Sequence, residues 1–369
     1  MSKPKDLSIE TLRGLAILLV VAGYILSDDL VSAQGSIFTS ALRFMHFCLT
    51  PIRMPLFTVI SAYLYAESPV TRETFKKMMT GKSRRLMVPF IFMTALQYTF
   101  FLSIPASNHP PPDHFYMVYI YPYEQLWFIF SIFQIFVIVG FLDSREALGT
   151  FKKWVAVLAI ALFLHLTFKM TRLFSVSGIN YLFPFFLAGY GLRRYSKELF
   201  SKSMINYYIV VAVLSYSLFI FLYVRNITDI SPMVFRVTGL FIAFSAVPLI
   251  LYFRRPWQPL ARIGYYAFGI YLFNKIGTAL AREVCQKMNF DQTEVLFLIY
   301  LSAGVIFSVL LEKFVLRKFS FTRRLILGLS DKIRPAAPLP AYSTINTQLP
   351  KGVSHASHSQ TLQKEPVEG

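Results

Sequence analysis

The chain has 369 residues, 55% of them hydrophobic and 15% charged; a soluble fold of that length needs more polar surface than this composition supplies. Its 37 Lys and Arg against 19 Asp and Glu give a formal charge of +18. The basic residues fall between apolar runs rather than on one soluble face, so the excess reads as membrane topology and not as a nucleic-acid surface.

A membrane-spanning helix needs roughly 20 mostly apolar residues. In chain order the candidates are Leu12–Leu30, Leu42–Ala66, Leu86–Ile104, Gln125–Leu142 and Trp154–Lys169, then Ile179–Arg193, Met204–Val224, Met233–Phe253, Ile263–Leu280 and Glu294–Leu316. The fifth and sixth runs are also compatible with one re-entrant pair. Val31-Ser32-Ala33 resembles a signal-peptide cleavage site, but Asp28 and Asp29 intervene and the run is read as a span. The predicted fold class is therefore all-α, a polytopic membrane helix bundle of about ten transmembrane helices. Residues 1–330 form this membrane domain. Residues 331–369, rich in Pro, Ser, Thr and Gln, read as a disordered cytoplasmic tail.

Loop charges test the count independently. Lys and Arg crowd the segments after the second, fourth, sixth, eighth and tenth runs: Arg72 to Arg85, Lys152 and Lys153, Arg193 to Lys202, Arg254 to Arg262, and Lys313 to Arg324. The alternate loops carry Asp28, Asp29, Asp113, Glu124, Asp229 and Asp291. This alternation is the positive-inside pattern, and it predicts that both termini are cytoplasmic.

Polar groups at membrane depth are costly and point to function. Tyr24 lies eleven positions after Arg13, which on a helix is roughly the same face, about 16 Å further along. A plain alternative is that Arg13 snorkels to phosphates while Tyr24 packs at the far interface. Thr50-Pro51-Ile52-Arg53-Met54-Pro55 sets an arginine between two prolines; with few acids at that depth, an anionic ligand or backbone carbonyls are the expected partners of Arg53. His46, about two turns outward, reads first as an interfacial polar residue. Lys82-Ser83-Arg84-Arg85 before the third run is either topology alone or a phosphate clamp, since guanidinium forks match phosphate oxygens. Cys48 and Cys285 give neither a disulfide framework nor metal-ligand spacing, so no metal site is predicted. No internal repeat, P-loop or dinucleotide fingerprint is present.

Six blocks, in order, resemble the acyltransferase 3 family of integral-membrane O-acyltransferases. They are Ile9 to Val21 with its Leu12-Arg13-Gly14, Arg53-Met54-Pro55-Leu56-Phe57 running to Ser61, and Arg85-Leu86-Met87-Val88-Pro89. The remaining three are Leu126-Trp127-Phe128, Phe183 to Gly189, and Ile263 to Phe273. The resemblance implies a ten-helix enzyme that moves an acyl group, usually acetyl, from cytoplasmic acyl-CoA to a hydroxyl of an extracytoplasmic glycan or glycolipid, in a bacterial cytoplasmic membrane. It implies no bound cofactor; acyl-CoA is a substrate. Arg13 matches the family's first-helix arginine, while Lys82 and Arg85, with Arg84 beside them, match the basic positions associated with the donor.

Three positions depart from the pattern. Tyr24 occupies the place of the first-helix histidine, Asn274 that of a histidine after the last block, and Ala62 that of the second-helix glycine. A histidine base contributes about 10²–10⁴ in rate, and a tyrosine of ordinary pKa near ~10 is a poor replacement. The catalytic candidates are therefore Arg13, Tyr24 and, as the base, His46. Two other readings stay open. One is a non-catalytic relative that binds acyl-CoA or passes a glycan; the other is a transporter of an anionic solute.

Overall fold

The computed structural model describes residues 6–27, 37–103, 111–225, 232–290 and 292–329. The reasons for helix are local. Oxygen-bearing side chains cap the starts: Asp6 accepts from the Ser8 amide, Thr71 and Thr74 form a reciprocal box, and Thr150 and Ser201 cap theirs. Long apolar stretches then have only internal hydrogen bonds with which to satisfy their backbone.

The helices in order are α1 (Leu7–Ile25), α2 (Ile37–Tyr65), α3 (Arg72–Lys82), α4 (Val88–Leu102), α5 (Met117–Ile120), α6 (Trp127–Ser144), α7 (Phe151–Thr167) and α8 (Val176–Arg194). They continue as α9 (Ser196–Leu199), α10 (Lys202–Val224), α11 (Pro232–Tyr252), α12 (Gln258–Tyr265), α13 (Ala267–Lys287), α14 (Thr293–Leu311) and α15 (Ser320–Leu325). No strand occurs among the described residues. Among the described residues, eight helical stretches are long and apolar enough to cross a membrane. Of the other two expected spans, α7 has 17 residues, about 26 Å. The other, α13, has 21 residues but carries Asn274, Lys275, Thr278 and Arg282.

Several boundaries move. The described part of the first helix runs through a turn at Leu26 and Ser27; the expected end at Leu30 lies outside the described residues. The third span is longer than expected, because α3, a π-helical turn at Ser83–Met87 and α4 run on as one stretch of 31 residues, Arg72–Leu102. The expected span Ile263–Leu280 is two helices broken at Tyr266. The break follows from packing. Gly264 lies against the Glu10 carbonyl and Gly14 against the Leu260 carbonyl, so α12 lies directly on α1 and the chain must turn before α13. The tail, with Asp28, Asp29, Asp229 and Asp291, lies outside the described residues.

Contacts gather the basic segments at one end of the bundle. Arg254 donates to Ser8 Oγ at 3.1 Å, and Arg193 pairs with Glu67 at 3.0 Å. Gly328 presses on the Arg84 carbonyl. A buried carboxylate ties three elements there: Asp143 accepts from Tyr190 at 2.8 Å, from the Val70 amide at 2.7 Å and from Tyr65 at 3.3 Å. Further in, α8 rests on α2 where Gly189 meets the Val59 backbone and the Ala62 methyl. By contrast α10 turns Val213 and Leu214 outward, 59% and 65% exposed, as a lipid-facing helix would.

Candidate active site

At the basic end, Arg13 donates to both Glu10 oxygens at 3.0 Å, and Glu10 is itself buried by α12. Arg13 also lies within electrostatic range of Glu312. Glu312 accepts from Arg317 Nε at 2.8 Å, and Arg317 stacks over Tyr265 and donates to its hydroxyl. The guanidinium of Arg13 is thus held by a carboxylate one turn back rather than thrown out toward lipid headgroups. That geometry leaves it oriented, with its side chain 27% exposed.

The basic cluster splits. Arg84 and Arg85 are exposed on the π-helical turn, whereas Lys82 points inward with its Nζ 3.5 Å from the centre of the Phe136 ring. Turns of this type widen the helix and recur at functional sites. The chain after α15 folds back here: the Leu329 amide donates to the Arg323 carbonyl at 3.1 Å, and Gly328, at φ 60°, lies against Arg84 and Arg85. A side chain at 328 would strike both the backbone and its own strained φ. Arg323 and Arg324 thereby join the same rim. Sequence reading treated them as topology alone, since nothing local says that the tenth span's tail returns to the third.

Eleven residues along α1 from Arg13, a second cluster surrounds Tyr24. Its ring is flanked by Lys275 Nζ at 5.0 Å and the Arg53 guanidinium at 5.8 Å, both in the range of cation–π attraction. Gly23 makes the approach possible, because a Cβ there would collide with the Arg53 guanidinium. Arg53 keeps one Nη buried without a hydrogen-bond partner among the described residues. Lys275 pairs with Glu124 at 2.8 Å, and both side chains are about nine-tenths buried, 13% and 12% exposed. Glu124 holds this place with a left-handed φ of 51°, unusual for a residue with a Cβ and typical of sites where structure imposes a conformation. The α2 helix runs through both Pro51 and Pro55 to deliver Arg53.

Buried amides complete the cluster. Gln97 and Gln125 are fully buried and donate to the Leu272 carbonyl at 3.0 and 3.5 Å; among the described residues the Oε1 of each has no partner, nor do the Oγ1 atoms of Thr94 and Thr278. Tyr271 donates to the Gln125 carbonyl. Orphaned acceptors inside a membrane bundle are expensive and ask for a reason.

The remaining predicted residues take quieter places. Asn274 spends its amide hydrogens on the Ile270 and Tyr271 carbonyls, both at 2.8 Å. Ser61 donates to the Phe57 carbonyl of its own helix at 2.9 Å. The Trp127 carbonyl accepts from Ser131 at 2.9 Å and Ser175 at 3.2 Å, fixing the start of α6 to the turn before α8. His46 lies two turns outward of Arg53 and lines a separate cavity of about 830 Å³ together with His165. Glu124 and Lys275 escaped the sequence reading because each looks ordinary alone: one a loop acid, the other a cation in a weakly apolar run.

A family model described as an acyltransferase domain (Acyl_transf_3) matches residues 6–313, from the cap of α1 to just beyond α14. The chain belongs to that family, and it is a membrane acyltransferase in class. Comparison with curated proteins and with solved structures finds no significant match.

Proposed function

We propose that this protein transfers a short acyl group, acetyl in the simplest case, from cytoplasmic acyl-CoA to a hydroxyl of an extracytoplasmic glycan or glycolipid. The observation that carries the reading is the Tyr24 cluster: a buried Lys275–Glu124 pair, an arginine with an unpartnered Nη, and two glutamines with orphaned acceptors, all flanking the position that bears the family's histidine. Donor phosphates meet Arg84, Arg85 and Lys82, with Arg323 and Arg324 widening the same basic rim, and Arg13 orients the carrier beneath them. The acceptor oxygen attacks the thioester carbonyl, its proton passes to a base, and the thiolate leaves and is reprotonated. Arg53 and Lys275 stabilise the oxyanion as it forms.

Two groups compete for the base. Glu124 lies at the cluster, paired with Lys275; His46 lies two turns before Arg53 on α2, lining a separate cavity. Proteoliposomes given labelled acetyl-CoA, with Arg13→Ala, Glu124→Gln, Lys275→Met and His46→Ala beside wild type, separate them. Loss of the base lowers turnover by about 10²–10⁴. Arg13→Ala, which removes the guanidinium that orients the donor, weakens donor binding and reduces turnover to background. Equal turnover in all five proteins would end the scheme.

A further inference from the structure

The cavity lined by His46 belongs to neither cluster. It is bounded by α2, the α7–α8 connection, α10 and α11, and holds about 830 Å³, within the ~300–1,000 Å³ of sites for organic ligands and far larger than a bare inorganic anion. Four permanent cations, Arg43, Lys169, Arg172 and Arg236, and two imidazoles, His46 and His165, line it, and no Asp or Glu does among the described residues. Arg236 fastens α11 to α7 by donating to the His165 carbonyl at 3.4 Å. The other walls are apolar: Phe47, Phe219, Phe235 and Leu240. Phe47 stacks on Phe219 at 4.0 Å.

Position matters as much as charge. Lys169 and Arg172 lie on the exposed connection between α7 and α8, so the basic ring borders the membrane interface, and the aromatic wall adjoins it. Converging cations beside hydrocarbon repel one another in a medium of low dielectric, and in membrane proteins such groups mark the path of a charged ligand. A ring of cations above an apolar wall complements one shape of molecule: an anionic head on a hydrocarbon chain.

We propose that this cavity binds a membrane lipid carrying a phosphate group. The phosphate lies among Lys169, Arg172 and Arg236, and the chain runs along Phe219, Phe235 and Leu240. The proposal does not depend on the acyl-transfer reading, because it concerns binding and not turnover. Two lipids share the chemistry, a polyprenyl phosphate that carries glycans and a bulk anionic phospholipid such as phosphatidylglycerol.

The test uses the full chain purified in detergent and a phosphatidic acid bearing a photoactivatable diazirine on its acyl chain. Labelled peptides should contain Phe219 or the stretch from Phe235 to Leu240. Polyprenyl phosphate or phosphatidylglycerol should compete, and phosphatidylcholine should not. Lys169→Glu combined with Arg172→Glu, both on exposed side chains, should cut labelling on the order of tenfold, as should Arg236→Gln alone in a milder form. Arg255→Glu, exposed at the opposite, basic end, should leave it unchanged, and matching melting temperatures verify folding in each case. The better competitor identifies the source: polyprenyl phosphate a glycan carrier, phosphatidylglycerol the bulk membrane, and either supports the site. Labelling that spreads over the outward face of α10 at Val213 and Leu214, or that phosphatidylcholine removes equally, overturns it.

Discussion

Tyr24 is where residue-scale chemistry decides most. A hydroxyl set between two cations donates and accepts hydrogen bonds, which is not the proton-accepting work of an imidazole base. If the surrounding cluster has taken over the base function, Tyr24→His adds little and turnover stays within about threefold of wild type, whereas a chain lacking any base gains activity from the same change by about 10² or more. Single-turnover acetyl transfer by the two proteins distinguishes the cases. Gly328→Ala addresses the donor rim: its Cβ strikes the Arg84 carbonyl and its φ of 60° suits glycine, so the arginine turn should shift and the KM for acetyl-CoA rise with kcat little changed. Arg13 was legible in the sequence because a charged residue opening an apolar run is conspicuous. Glu124 and Lys275 were not, because their meaning is the 2.8 Å pair they form between the turn before α6 and α13, 151 positions apart in sequence.

At the scale of elements, helix-to-helix contact explains why the family-like blocks have the residues they do. Gly14 and Gly264 let α1 and α12 touch backbone to backbone, and Gly189 does so for α8 on α2. Gly264→Ala drives a methyl into the Glu10 carbonyl and should cost about 1–3 kcal/mol, seen as a lower detergent melting temperature and weaker donor binding, since Glu10 holds Arg13. Asp143→Ala strands the Val70 amide and two tyrosine hydroxyls; at about 1–3 kcal/mol for each buried orphan, it should be more damaging than the glycine change by the same assay. Apolar runs of 18 residues or more announced most spans. Hydropathy hid α13 in part, because the helix that supplies Tyr271, Asn274 and Lys275 to the interior is polar for that reason. The break at Tyr266 had no signal at all in composition; it comes from the shape of α1.

For the molecule as a whole, the polar residues gather in two clusters at different depths. One end gathers arginines from α1, the α3–α4 turn and α15; about 16 Å along α1 by helical rise, the Tyr24 cluster forms a second polar layer. Such an arrangement makes sense if the donor never crosses and only the acyl group does. The most direct measurement is vectorial. Proteoliposomes are prepared with the basic end facing outward, established by protease access to the segment 331–369, and labelled acetyl-CoA is supplied only outside, with a polyprenyl-linked glycan in the membrane and soluble glycan sealed within. The account predicts label on glycan hydroxyls facing the lumen while CoA is released outside, and no lumenal label with Arg13→Ala. Label confined to outward-facing glycan, or lumenal label that persists in Arg13→Ala, would contradict it.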